Sequence, residues 1–174
     1  MPFTPLHMGP GLAFKAIGGR HFSLMVFGFS QVMIDLEPLI RMILGDSVLH
    51  GVTHTYLGAT AIGLASVLIG KPFCQWLLDH VRPDPSLGML VWLRGSGRIT
   101  WTAAIVGAFL GTYSHVALDS VMHADMQPLA PLHNDNAPLH IVSVDAVHAG
   151  CIAAGVIGAV ALAAAYLAIR RKGL

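Results

Sequence analysis

In the apolar stretch running from Ile99 to about Val121, His115 and Asp119 stand out by type and by spacing. Four positions apart on a helix, they share one face and can aim an imidazole nitrogen and a carboxylate oxygen at a single cation. Ionisable groups at membrane depth lose hydration that a partner charge or a metal must offset, so such a pair marks a functional site; the bland reading is a hydrogen bond between helices of a bundle. Residues of the same chemistry recur along the chain: His7, then Asp35 and Glu37 flanking Leu36, then His50 and His54, again four apart. Imidazole and carboxylate donors without thiolates suit Zn²⁺, Mn²⁺ or Fe²⁺ and argue against a purely structural zinc site. His7, Asp35, His50, His54, His115 and Asp119 are enough ligands for two ions, with Asp119 able to bridge them. Bound divalent ions activate water near neutral pH and polarise a carbonyl or phosphoryl oxygen, which is the chemistry of hydrolysis. Glu37 is the candidate general base, provided that it is not tied to Arg41 four residues on; it is otherwise a ligand or an ion-pair partner. For His50 and His54 the bland reading is a solvated interfacial loop capped by Thr53. His123, His133, His140 and His148 read as loop or rim residues, with His140 and Asp145 as possible supports behind ligands.

The elements that must position these residues are those of a membrane protein. The chain has 174 residues, room for one domain covering 1–174, and its 55% hydrophobic and 11% charged content excludes an ordinary soluble globule, which carries about 25% charge. Mean hydropathy is +0.67. The expected fold class is all-α, a polytopic helical bundle with four long spans plus a short N-terminal re-entrant or tilted helix. Residues 5–18 are too few to cross about 30 Å of hydrocarbon, and Gly9, Pro10 and Gly11 should make them irregular. Residues 22–44 form the first long run, which Pro38 should break beside Glu37. The next runs from about 54, with Thr53 as N-cap, past Lys71-Pro72 towards Val81. Residues 82–98 read as a polar connection, 99–121 as the third span, and 122–144 as a loop too long and too rich in Pro, His and Asp to be a mere link. An Ala- and Gly-rich span of about 146–169, suited to close helix packing, ends in Arg170-Arg171-Lys172. The N-terminus lacks the basic region and cleavage pattern of a signal peptide and is expected to stay on the mature protein. A net charge of +1 without a basic aromatic face argues against a nucleic-acid partner.

The terminal basic cluster sets the C-terminus on the cytoplasmic side, and alternation of the spans assigns the rest. Of the 10 Lys and Arg residues only Arg41 then falls outside. The same assignment, made from basic residues alone, gathers Asp35, Glu37, Asp46, Asp119, Asp125, Asp135 and Asp145 at the outer face, together with His7, His50, His54, His115, His123, His133, His140 and His148. Residues far apart in sequence thus converge on one membrane face. Cys74 and Cys151 come to opposite faces, which forbids a disulfide. His21 and His80 lie on the inner side.

In order along the chain, His7, Asp35-Leu36-Glu37, His50-Gly51-Val52-Thr53-His54, Ser114-His115 with Asp119, and Pro128-Leu129-Ala130-Pro131 resemble the YdjM family of inner-membrane metal-dependent hydrolases over residues 1–131. That family is distantly similar to bacterial zinc-dependent phospholipase C and fungal zinc nucleases. The resemblance implies that Asp35, His54, His115 and Asp119 hold one ion, with His7 and Asp119 on a neighbour. Two departures are visible. The family commonly carries an acidic residue and a histidine where this chain has Glu37-Pro38, and a basic residue where it has Gly51.

The expected function is metal-dependent hydrolysis of a phosphoester or lipid-derived substrate at the outer face of a bacterial inner membrane. Zinc is the expected ion, with manganese or iron as alternatives, and the partners are the lipid bilayer and a small-molecule or lipid substrate. A non-enzymatic metal-binding or transport protein is the alternative, and a structural subunit with an interhelical polar network a third. Substrate, metal and oligomeric state are not encoded in any motif.

Overall fold

The structure is a computed structural model that describes residues 5–81, 83–95 and 97–172. Arg82 and Ser96, both part of the expected 82–98 connection, lie outside the described residues, as do 1–4 and 173–174. Among the described residues every regular element is helical and there is no strand.

A 3₁₀ turn at Pro5–Met8 leads into α1 (Gly9–Gly18), which is regular despite its glycines because Pro10 sits in the first turn, where its missing amide has no intrahelical partner to lose. Ser23 caps α2 (Leu24–Ile34), and α3 (Leu36–Leu44) follows after a single residue, Asp35. A 3₁₀ turn at Val52–His54 precedes α4 (Tyr56–Ala65), whose cap is Thr55 rather than Thr53. From α4 the chain passes through a π turn at Ser66–Gly70 directly into α5 (Lys71–His80). Pro72 cannot donate to the carbonyl four residues back, and the widened turn carries the helix past that gap. The 82–98 connection is not wholly irregular, since it contains α6 (Gly88–Arg94), a short helix rich in apolar residues. Thr100 caps α7 (Trp101–Met122), and Ser143 caps α8 (Val144–Arg171).

Among the described residues, three helices are long and apolar enough to cross a membrane: Tyr56–His80, Trp101–Met122 and Val144–Arg171. The expected fourth long span is divided into α2 and α3, each too short by itself.

Two glycines show how closely the helices approach. A Cβ on Gly111 of α7 would run into Ser30 Oγ of α2, and one on Gly158 of α8 would strike the backbone of Leu12 and Ala13 in α1. Such contacts are how helices associate where lipid removes the hydrophobic drive, by van der Waals packing of backbones brought together. The α2–α7 contact matters for function because α2 ends at Asp35 and α7 carries His115 and Asp119. Beneath that end, Val26, Val67, Cys74, Ile99, Ala104 and Ala108 form an apolar core. Cys151 belongs to a separate cluster with Met122 and Val147, and both cysteines are free.

Candidate metal centre

Pro38 determines where Asp35 points. Its ring excludes the carbonyl of Ile34, four residues back, from the helical ladder. The break therefore falls at Asp35, and not beside Glu37-Pro38 as the bias on a residue preceding proline implies; Glu37 is helical, and Pro38 is accommodated in the first turn of α3. The Ile34 carbonyl instead accepts from Thr53 Oγ1 at 3.1 Å. That bond fastens the Val52–His54 turn to the break, so His54 and Asp35 face α7 together.

Asp35, His54, His115 and Asp119 meet there, each buried to between 1% and 5% exposure. His115 Nε2 is 3.0 Å from Asp35 Oδ1 and 3.1 Å from Asp119 Oδ2. His54 Nε2 is 3.4 Å from Asp119 Oδ2 and 3.6 Å from Asp35 Oδ1. Donors bound at about 2.0–2.1 Å around a tetrahedral ion lie about 3.3 Å apart, so these separations have the size a first coordination shell requires. One ligand atom from each of the four lies within 4.8 Å of all the others, and the group could hold a metal ion.

The alignment of these atoms supports that reading. Nε2 of His54 and of His115, both ring nitrogens of His7 and Oδ1 of Asp119 are buried without a hydrogen-bond partner. The histidine nitrogens are close to carboxylates yet misdirected for N–H···O bonds, as atoms spaced around a common point would be. Two buried carboxylates facing unpaired imidazoles would be strongly unfavourable unless a cation compensates them.

The far side of each imidazole is arranged accordingly. His115 Nδ1 is 2.6 Å from Gln31 Oε1, an acceptor, so Nδ1 carries the hydrogen and Nε2 presents its lone pair. Thr53 Oγ1 lies 2.7 Å from Glu37 Oε2 and 3.1 Å from the Ile34 carbonyl, both pure acceptors. Its single hydrogen is shared between the two, so towards His54 Nδ1, at 3.1 Å, the hydroxyl must accept. The Nε2 lone pair of His54 is again left facing the cluster. Burial opposes a charge on His54, but the carboxylates of Asp119 and Asp35 outweigh it and raise its pKa above the ordinary histidine value.

The second oxygen of Asp119 faces a different pair. Oδ1 is 3.6 Å from His7 Nε2 and 3.8 Å from His123 Nε2. Asp119 thus stands between two sets of imidazoles, the placement a bridging carboxylate needs.

Other candidates sit elsewhere. His50 is not among the four; it groups with His123 and Asp125, with its ring stacked on that of His123 at 4.3 Å. Asp125 accepts from the amides of Leu49 (2.9 Å) and His50 (3.1 Å) and meets His50 Nδ1 at 2.9 Å. Burial alone would raise the Asp125 carboxyl, but these bonds hold it down at about 2. Glu37 is fully engaged: Arg41 Nε donates to it at 2.9 Å, and the amide and hydroxyl of Thr53 each donate at 2.7 Å. Freedom from Arg41 was the condition for a general base, and it is not met; the carboxylate instead positions His54 through Thr53. Gly51 has a local reason as well, since a Cβ there would meet the Glu37 carboxylate and lie 2.7 Å from the Arg41 guanidinium.

Three participants were not among the candidate site residues, although the topology had placed His123 and Asp125 at the outer face. His123 had a legible signal, as it continues the ladder His115, Asp119 on the same helix face into the first residue beyond α7. Gln31 was marked only by being an amide in an apolar run, one turn before Asp35. For Asp125 the only signal was its placement at the outer face, because its link to His50 exists only once the 122–144 loop folds back. That loop closes over the centre through the Pro128 carbonyl, which accepts from the Tyr56 amide at 2.8 Å, and through buried Met126.

No known protein-family model, curated protein or solved structure matches this chain.

Proposed function

We propose that this protein is a membrane-embedded metal-dependent hydrolase of the YdjM-like kind, acting on a phosphoester or lipid-derived substrate. The observation that carries the metal centre is the convergence of unpaired Nε2 atoms from His54 and His115 on the carboxylates of Asp35 and Asp119. Those four residues hold one divalent ion, most simply zinc, with manganese or iron as alternatives. His7 and Asp119 Oδ1, joined by His123, hold a second. Bound there, such ions supply a water activated near neutral pH and an electrophile for a phosphoryl oxygen. The chain's own contribution is orientation: Gln31 and the Glu37–Thr53 relay set the imidazoles, and Asp125 sets His50 beside the centre. A neighbouring cleft of about 250 Å³ is lined by Arg41, His50 and Asp125 among others, and the Arg41 guanidinium, paired with Glu37 and near Asp46, lies beside Gly51, where the family has a basic residue. In this reading α2 and α3 together form the fourth span, the C-terminus is cytoplasmic and the centre faces outward in a bacterial inner membrane.

The burial of all four central residues favours one other reading, a centre that binds metal without turnover. Purified protein, assayed for metal by mass spectrometry and for cleavage of a chromogenic phosphodiester, separates the two. The hydrolase carries one or two ions and cleaves the ester, and Asp119→Ala removes both properties. Metal without cleavage of phosphoesters or carboxylic esters leaves the binding protein, and metal-free wild type overturns both.

A further inference from the structure

The polarity of α3 is the reverse of that of an ordinary surface helix. Leu36, Ile40 and Ile43, at i, i+4 and i+7, share one face and turn outward, and with Leu44 beside them they are 36% to 74% exposed. A surface helix of a soluble protein buries such a stripe and shows its charges to water. Here the charges face the protein. Glu37 accepts from the amide and the hydroxyl of Thr53, while Arg41 donates to Glu37 and lies 3.8 Å from Asp46. Within α3 only Pro38 is buried, so packing against the protein does little to fix the roll of the helix about its axis.

The surroundings of the outward face identify what covers it. The face continues the exposed Val32 of α2, four residues before Leu36. Thr53 fastens its turn to Ile34 and Glu37, which sets Val52, 71% exposed, beside α3. Leu57, also exposed, carries the apolar surface onto Tyr56–His80, a helix long and apolar enough to cross a membrane. These six side chains are all aliphatic. They offer a protein partner no charge or hydrogen bond to recognise, and they match lipid acyl chains.

We propose that the outward face of α3 is seated among the acyl chains of the outer leaflet, and that this seating sets the roll that keeps Glu37 on Thr53. The effect reaches the metal centre, because Thr53 turns His54 to the carboxylates and Asp35 is the residue from which α3 starts. The proposal rests on the topology given above only for which leaflet is meant. Contact with lipid and the bonds from Thr53 to Glu37 are tested without bound metal and without turnover.

A tryptophan reporter tests the seating. Trp76→Phe, Trp92→Phe and Trp101→Phe remove the 3 tryptophans of the chain, and Ile43→Trp adds one on the outward face. The full chain is reconstituted in phosphatidylcholine vesicles with or without acyl-brominated phosphatidylcholine, and iodide is supplied on both sides. Bromine on the acyl chains should remove most of this emission and iodide little of it. For Asp135→Trp, at an exposed loop position, the order should reverse. The roll is read by hydrogen exchange at the Thr53 amide, which donates to Glu37. Ile40→Gln with Ile43→Gln should speed that exchange on the order of tenfold, as for the loss of one hydrogen bond to a charged group. Ile40→Leu with Ile43→Leu should leave it unchanged, and circular dichroism checks that both variants are folded. Quenching of the Ile43→Trp reporter decides the seating even if the Gln variant does not fold. Strong quenching by iodide, quenching by neither agent, as when a second copy or another protein covers the face, or unchanged Thr53 exchange in the folded Gln variant would each overturn the proposal.

Discussion

At the scale of single residues, the centre depends on which ring nitrogen of each histidine is free. Gln31 fixes this for His115, and it touches none of the proposed ions. Replacing it by Leu keeps the volume and removes the acceptor, so the imidazole loses its tautomer and its orientation. Metal affinity should fall about 10- to 100-fold, as for other outer partners of ligating histidines, read by competition with a chromogenic chelator. Asp125 carries a prediction in pH. Its folded pKa of about 2 lies below the ordinary carboxylate value of 3.8. Its stabilisation is therefore fully present above the unfolded pKa and is lost as pH falls from about 4 through about 2, with an upper limit of about 2 kcal/mol. In Asp125→Asn the melting temperature should drop at neutral pH, and the difference from wild type should narrow across that acid range. A difference independent of pH would show that the carboxylate's charge is not what matters.

At the scale of elements, a proline and a pair of close-packed glycine contacts place the ligands. Pro38 interrupts the ladder at Ile34, and the released carbonyl recruits Thr53, so one backbone defect positions both Asp35 and the turn bearing His54. Pro38→Ala should restore a continuous α2–α3 helix and draw Asp35 out of the cluster. The expected outcome is metal content well below that of wild type with helical content by circular dichroism equal or higher, an opposite pair of changes that general misfolding would not produce. That Pro38 would disturb the helix was legible in the sequence. The position of the break was not, because a proline acts on the carbonyl four residues back as well as on its neighbour, and the Thr53 hydroxyl that satisfies that carbonyl comes from another element.

At the scale of the whole molecule, oxygen and imidazole ligands collect at one end of the bundle, and Lys15, Arg20, Arg94 and Arg98 line a cavity at the other. The proposed topology is tested in a Cys74→Ala, Cys151→Ala background, with Asp135→Cys and Lys172→Cys introduced separately at exposed positions. A membrane-impermeant maleimide added to intact cells should label the former, and label the latter only after permeabilisation; the reverse pattern would put the metal centre on the cytoplasmic side. Read by itself, the sequence determined that the chain has helices apolar enough to span a membrane, the helical class and the pool of candidate ligands, because hydropathy, spacing along a helix and residue type are local properties. Tertiary structure alone decided which of the candidates share a point. His50 and His54 are equally good ligands on paper, yet the bond from Thr53 to Ile34 turns His54 to the carboxylates, while Asp125 holds His50 against His123. Glu37 and Arg41 had the spacing of an ion pair, but only the arrival of Thr53 shows that both carboxylate oxygens are taken. Coordination is a convergence of atoms in space, and a centre assembled from Asp35, His54 and α7 depends on packing between segments that helical periodicity cannot relate.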